Sequence, residues 1–140
     1  AGRRAPAPAG QLDAAWAAVV ARLRADHPGV PLVVGGRSSG ARVACRTAVA
    51  TGAAGVVALA FPVRPPRRPR GPAADRSPEL DTGLPTLLVS GDRDPFGVPA
   101  AGAGRTLITI AGARHDLAAD PVAVGVAVVT WLRAMGWVGR

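Results

Sequence analysis

Four short apolar runs, each too short to be a helix of ordinary length, constrain the fold of this chain most. They are Val30–Val34, Gly55–Phe61, Pro85–Ser90 and Thr106–Ile110. Strands that are apolar along their whole length are typical of a parallel sheet that is covered on both faces. Because helical segments alternate with these runs, the pattern predicts an α/β fold, a three-layer, doubly wound, mostly parallel sheet of about four strands.

Three helices are predicted around these strands. Apolar residues at helical spacing between Leu12 and Leu23 indicate the first helix, and Ala41–Thr51 is predicted as the second. The segment Asp120–Met135 also contains alternating valines, which would suit a strand. We interpret it as the third helix because Asp120 followed by proline is typical of a helix start.

The remaining segments suit one small domain with a long loop. Residues 1–10, rich in Pro, Ala and Arg, are predicted to be an extended lead-in to a domain that covers residues 11–140. Residues 62–83 contain six prolines and a cluster of arginines, which predicts a long loop with one helical turn near Pro78–Leu80. A second short helical turn is expected at Val98–Ala103.

Composition narrows the classes of partner. The formal net charge is +8 and every basic residue apart from histidine is arginine, but recognition motifs and stacking aromatics are lacking, so nucleic acid is not expected as a partner. No stretch approaches the ~18 consecutive apolar residues of a membrane span, so a membrane partner is not expected either. A single cysteine, Cys45, cannot form an internal disulfide, which favours a cytoplasmic location.

One motif suggests a nucleophile. Gly36-Arg37-Ser38-Ser39-Gly40 matches G-x-S-x-G and lies between a predicted strand and a predicted helix. In that context the serine occupies a strained turn and projects its hydroxyl above the sheet edge, and small flanking residues let the backbone pass closely. The backbone N–H of Ser39 could then help to stabilise an oxyanion. The alternative is a glycine-rich turn with a capping serine.

An acid and a base follow two later strands, at the edge where parallel strands have their carboxyl ends. Asp94 comes after the third predicted strand, with Asp92 as a nearby alternative, and His115 comes after the fourth. His115 is therefore on the correct edge to accept a proton from a serine, with an aspartate to orient it. The other histidine, His27, precedes the first strand and belongs to the opposite edge.

Other kinds of site have little support in the sequence. With one Cys and two His residues no metal-ligand cluster is visible, and Gly35–Gly40 lacks the lysine of a phosphate-binding loop. We therefore expect neither a metal nor a cofactor. The arginines between Arg64 and Arg76 could meet an anionic substrate or an acidic partner, or could form a solvated surface, as runs of charge more often do.

These segments together resemble a small branch of the α/β-hydrolase superfamily that is related to dienelactone hydrolases. The residues from Leu12 to the C-terminus carry the resemblance. Val33–Ala44 resembles the G-G-R-S-x-G elbow of that branch, and Ala58–Pro66 resembles its proline-rich segment. Gly91–Gly97 resembles its G-x-x-D-P-F-G acid motif, and His115–Leu117 resembles its histidine site.

The resemblance implies a serine hydrolase that acts on small acyl esters or thioesters. It implies Ser38 as nucleophile, His115 as base and Asp94, in preference to Asp92, as acid. It also implies that residues 11–140 are the C-terminal part of one α/β-hydrolase domain. No segment here matches the glycine-rich H-G-x-G-G-like loop that supplies the family's second oxyanion amide.

Two further expectations follow from that missing match. A non-catalytic binding or regulatory module of the same fold is the alternative function, because its oxyanion hole would be incomplete. A sheet without its earlier strands would also leave an exposed edge, through which the chain could form a homo-oligomer.

Overall fold

The structure, a computed structural model, describes residues 7–65 and 74–139. The described residues form three α-helices, four β-strands and one 3₁₀ helix. In chain order these are α1 (Ala9–Asp26), β1 (Val33–Arg37), α2 (Ser39–Thr47), β2 (Gly55–Leu59), the 3₁₀ helix (Ser77–Leu80), β3 (Thr86–Gly91), β4 (Arg105–Ile110) and α3 (Pro121–Ala134). Within the described ranges, no helix is long and apolar enough to cross a membrane.

The four strands form one open sheet in the order β1-β2-β3-β4, and all three neighbouring pairs are parallel. The predicted fold class is therefore confirmed. Since every strand runs in the same direction, all four carboxyl ends lie along one edge of the sheet. The segments that follow the strands along this edge contain the candidate site residues.

The core lies in two layers, one on each face of the sheet. Within β3, Leu88 packs towards α1 and α2, whereas Leu87 and Val89 pack towards α3. All six residues of β3 are buried, as expected for a strand that is covered on both faces. The α1 and α2 side also contains Val20, Val34, Ala44, Val56 and Phe61, and the α3 side also contains Ala60, Ile110, Ala113, Leu117 and Trp131.

The predicted first strand, Val30–Val34, is wrong by three residues at its start and end, because β1 covers Val33–Arg37. The glycines that were assigned to a turn are the centre of the strand. A Cβ atom on Gly35 would lie 2.7 Å from the carbonyl oxygen of Val57 on the neighbouring strand. Glycine is needed there because it lets β1 and β2 pair closely, so the chain turns only at Ser38.

The bounds of two other elements also differ from the prediction. Helix α2 begins at Ser39 and ends at Thr47, four residues before the predicted end. Strand β2 ends at Leu59 because Ala60 has a positive φ of 46°, which an extended strand does not accommodate.

Two expectations about the connecting segments fail or need adjustment. No helical turn forms at Val98–Ala103, because Gly102 instead pairs with Arg105 across a tight turn in which Gly104 has a positive φ of 71°. Helix α1 begins at Ala9, inside the predicted lead-in of residues 1–10; residues 1–6 lie outside the described residues.

The long loop predicted at residues 62–83 contains the expected helical turn. This turn, near Pro78–Leu80, is confirmed as the 3₁₀ helix. Residues 66–73 of the loop lie outside the residues that the structure describes.

The third helix is confirmed as predicted from its start signal. The side chain of Asp120 accepts a hydrogen bond from the backbone N–H of Ala123 at 2.8 Å, and Pro121 is the first helical residue. A cap of this kind satisfies one of the N–H groups that a helix start leaves without a partner. The local start signal therefore outweighs the alternating valines.

A cluster of charged side chains ties α1, α2 and the 3₁₀ helix together. Arg46 on α2 donates to both carboxylate oxygens of Asp13 on α1, at 2.6 and 2.9 Å, and to Glu79 at 3.2 Å. Arg42, one turn earlier, donates twice to Glu79. The hydrogen bond from Arg46 lowers the pKa of Asp13. The cluster fixes α2, whose first turn follows Ser38 directly.

Candidate active site

Ser38 occupies a strained turn between β1 and α2. Its φ of 55° and ψ of −117° are unusual for a residue other than glycine, and its N–H donates to the carbonyl of Leu59 at 2.9 Å. Because Ser39 is the first residue of α2, its N–H has no carbonyl one turn earlier in the helix to bond. This N–H lies at the positive end of the helix, where negative charge is favoured.

The two glycines of G-x-S-x-G have different roles in this turn. A Cβ atom on Gly36 would lie 2.5 Å from the carbonyl carbon of Gly40, so any side chain there would collide with backbone. A Cβ atom on Gly40 would have no neighbour within 4 Å. The turn therefore requires glycine at the first position for steric reasons but not at the second.

Asp94 lies in a tight turn after β3 and its side chain is fully buried. One carboxylate oxygen accepts the N–H of Phe96 at 2.8 Å, and the other lies 2.8 Å from Nδ1 of His115. Asp92, the alternative acid, is exposed and is not hydrogen-bonded to His115. The structure thus brings Asp94, and not Asp92, to the imidazole.

His115 lies in the loop after β4 and connects the acid to the serine. Its Nε2 atom is 2.8 Å from Oγ of Ser38. If Nδ1 carries the proton that bonds Asp94, Nε2 is free to accept the serine proton. The loop can approach β3 this closely because residue 91 is glycine. A Cβ atom on Gly91 would lie only 2.2 Å from the carbonyl oxygen of Ala113. His27 is exposed at the end of α1, before β1.

Backbone strain is concentrated at this edge of the sheet. In the described part of the chain, three residues other than glycine have a positive φ, namely Ser38, Ala60 and Leu117. Ser38 follows β1, Ala60 follows β2, and Leu117 lies in the His115 loop. Such conformations cost stability and are concentrated at functional sites, so their positions support this edge as the candidate functional edge.

A cleft of about 280 Å³ opens beside Ser38. Its lining includes apolar surface from Leu12, Pro62 and Phe96, as well as three arginine side chains, Arg42, Arg46 and Arg76. Sequence reasoning did not single out Phe96, although it lies inside the acid motif, two residues after Asp94. Its position in that motif was the available signal.

Competing chemistry near this cleft has little support. Burial raises the pKa of the Cys45 thiol on α2 to about 12, so this residue is a protonated core residue and a poor nucleophile. Over residues 7–65 and 74–139 there is no group of three or more His, Cys, Asp or Glu side chains that could hold a metal ion.

Comparison with known proteins identifies the family. The sequence model of a family described as an alpha/beta hydrolase domain matches residues 1–120. The chain belongs to this alpha/beta hydrolase family. A comparison with curated proteins finds no match.

Two solved structures show the same fold as this alpha/beta hydrolase chain. An a/b serine hydrolase without a lid from Xanthomonas campestris is 21% identical, with a TM-score of 0.68 over 96% of this chain and 62% of that one. An alpha-beta serine hydrolase homologue from Coxiella burnetii is 15% identical, with a TM-score of 0.64 over 95% of this chain and 64% of that one. The chain therefore spans less than two thirds of the length of either structure.

Proposed function

We propose that this chain is a serine hydrolase that uses Ser38, His115 and Asp94 as a catalytic triad. The observation that carries the proposal is the continuous pair of hydrogen-bond contacts through the His115 imidazole, 2.8 Å to the buried carboxylate and 2.8 Å to the serine oxygen. A nucleophile hydrogen-bonded to a base that is oriented by a third group is the arrangement required for acyl transfer.

The reaction would proceed in two halves. Oγ of Ser38 attacks the substrate carbonyl carbon while Nε2 of His115 takes its proton, and the buried Asp94 carboxylate stabilises the imidazolium that forms. The imidazolium then protonates the departing alcohol or thiol, which leaves an acyl group on the serine. A water molecule attacks this acyl group and passes its proton to Nε2 of His115. The imidazolium then returns this proton to Oγ of Ser38 as the acyl–serine bond breaks, which releases the acid and regenerates the serine and the neutral imidazole.

The negative charge of the tetrahedral intermediate needs donors close to the serine. The Ser39 N–H at the start of α2 is the candidate oxyanion donor among the described residues. The cleft of about 280 Å³ is small and partly apolar, which supports small acyl esters or thioesters as substrates.

Turnover of p-nitrophenyl acetate tests the proposal, with Ser38→Ala and Thr130→Ala compared with the unaltered chain. We expect Ser38→Ala to lower kcat by at least about 10³-fold, because the nucleophile is lost. Thr130→Ala is the matched control, because it removes an exposed hydroxyl group on α3 that does not line the cleft beside Ser38. Equal turnover by the Ser38→Ala variant and the unaltered chain would contradict the proposal.

A non-catalytic binding or regulatory module of the same fold is the second candidate function. The observation that favours it is that a single candidate oxyanion donor, the Ser39 N–H at the start of α2, lies beside Ser38 among the described residues. Losing one oxyanion donor typically lowers turnover by about 10²–10³-fold, so a hole with one donor could leave little activity. A folded chain that turns over no faster than its Ser38→Ala variant would support this second function.

A further inference from the structure

We propose that Phe96 is a positioning residue that holds the His115 imidazole in line for proton transfer, a role that rests on the proposed triad. The two rings are in contact, with their centroids 4.3 Å apart and their planes tilted by 51°. The Phe96 side chain also lines the cleft beside Ser38. One side chain thus contacts both the base and the space that a substrate would occupy.

The direction of the Phe96 ring is set by the turn that orients the acid. The Phe96 N–H donates to Asp94 at 2.8 Å, and the Phe96 carbonyl accepts the N–H of Arg64 at 2.9 Å. The next residue, Gly97, has a φ of 88° and donates its N–H to the Asp94 carbonyl at 3.0 Å. The backbone on both sides of the ring is therefore hydrogen-bonded.

The imidazole needs such a contact because its two hydrogen bonds lie at opposite ends of one rotatable ring. The torsion angle that rotates a histidine ring has a broad range of values with similar energy. Rotation of the ring therefore costs little free energy unless neighbouring atoms oppose it. Rotation away from the line between Asp94 and Ser38 would lengthen both 2.8 Å contacts. The Phe96 ring opposes this rotation on one side.

Two substitutions separate the positioning role from simple packing. Phe96→Leu keeps an apolar side chain in the cleft but removes the ring, whereas Phe96→Tyr restores a ring. We expect Phe96→Leu to lower kcat for p-nitrophenyl acetate about tenfold, with KM changed less than twofold, because small misplacements of catalytic groups are costly. Phe96→Tyr should remain within about twofold of the unaltered chain. Val98→Ala, at an exposed residue near the turn, is the control.

A change confined to KM, or a Phe96→Tyr variant as slow as Phe96→Leu, would overturn the positioning role. Proton NMR of the His115 Nδ1–H gives a readout that does not require turnover. This signal should be sharp in the unaltered chain and in Phe96→Tyr, and broadened by exchange with water in Phe96→Leu. Thermal unfolding of each variant verifies that it folds.

The NMR result also distinguishes the failure of this inference from failure of the proposed function. An Nδ1–H signal that is equally sharp in Phe96→Leu would overturn the inference, whatever the activity of the chain. An unaltered chain without turnover, in which the signal still broadens on Phe96→Leu, would overturn the proposed hydrolase activity and leave the positioning role supported.

Discussion

The backbone conformation of Ser38 defines the candidate site at the scale of single residues. The positive φ places this serine between the last residue of β1 and the first of α2, with its oxygen 2.8 Å from His115. Gly36, two residues earlier, makes this conformation accessible, because a Cβ atom there would collide with the backbone of Gly40. The strained turn at Ser38 therefore depends on the absence of a side chain at residue 36.

The two glycines of the motif should respond differently to alanine. Gly36→Ala places a Cβ atom 2.5 Å from the Gly40 carbonyl carbon, so we expect the free energy of unfolding to fall by about 1–3 kcal/mol. Gly40→Ala meets no neighbour within 4 Å and replaces glycine inside a helix, so it should be neutral or stabilise by up to about 1 kcal/mol. Urea unfolding of both variants measures the difference, and equal destabilisation would contradict the steric account.

The sequence predicted the order and type of the main elements because the apolar runs and helical spacing are local signals. It placed β1 too early because Gly35 and Gly36 are typical of a turn. Their place in a strand depends on the close approach of Val57 from β2, which is a tertiary contact. The resemblance indicated Asp94, but the contact of Phe96 with His115 depends on how two loops meet in space.

At the scale of elements, the charged cluster on α2 carries much of the connection between α1 and the 3₁₀ helix. Its side chains are largely shielded, with Arg46 and Asp13 only 20% and 25% exposed. An ion pair shielded to this extent contributes more than a pair in free solution. The exposed pair between Arg22 and Asp26 on α1, at 79% and 45% exposure, offers a comparison within the same helix.

The Asp13 pair should make stability depend on acid pH. The hydrogen bond from Arg46 lowers the pKa of Asp13 below its ordinary value of 3.8 in the folded chain. Its contribution is therefore complete above that value and is lost as the pH falls below it through the folded pKa. We expect Asp13→Asn to lower the free energy of unfolding by about 1–2 kcal/mol at pH 6 and by progressively less as the pH falls below 3.8.

Urea unfolding at several pH values between 2 and 6 measures this dependence. Asp26→Asn is the matched control, and we expect it to change the free energy of unfolding by less than about 0.5 kcal/mol at any pH. A loss for Asp13→Asn that is the same at every pH, or that Asp26→Asn reproduces, would contradict the assignment.

At the scale of the whole molecule, an exposed apolar surface lies beside the β4 edge of the sheet. A cavity of about 580 Å³ between β4 and α3 is lined by residues that include Ile108, Val126 and Met135. Val122 and Val126 on α3 are 74% and 59% exposed. In the order β1-β2-β3-β4, both outer strands have one side that is not paired within residues 7–65 and 74–139. Such surfaces promote association between chains.

Association through this surface should weaken when it becomes polar. We expect Val126→Gln to shift the chain towards monomer at a given concentration in sedimentation velocity, because it places an amide in the apolar cavity. Val19→Gln on α1 is the control, since Val19 is similarly exposed, at 55%, but does not line the cavity. Equal effects of both substitutions, or a monomeric unaltered chain, would contradict the use of this surface.

The central claim is that Ser38, His115 and Asp94 act as a catalytic triad through the two hydrogen-bond contacts of the His115 ring. Labelling by a fluorophosphonate, with the adduct located by peptide mass spectrometry, tests it most directly. We expect the adduct on Ser38 and not on Ser39, formed about 10³–10⁴-fold more slowly in Asp94→Asn and at an unchanged rate in Asp92→Asn. No adduct on Ser38, or equal labelling rates in the two aspartate variants, would contradict the claim.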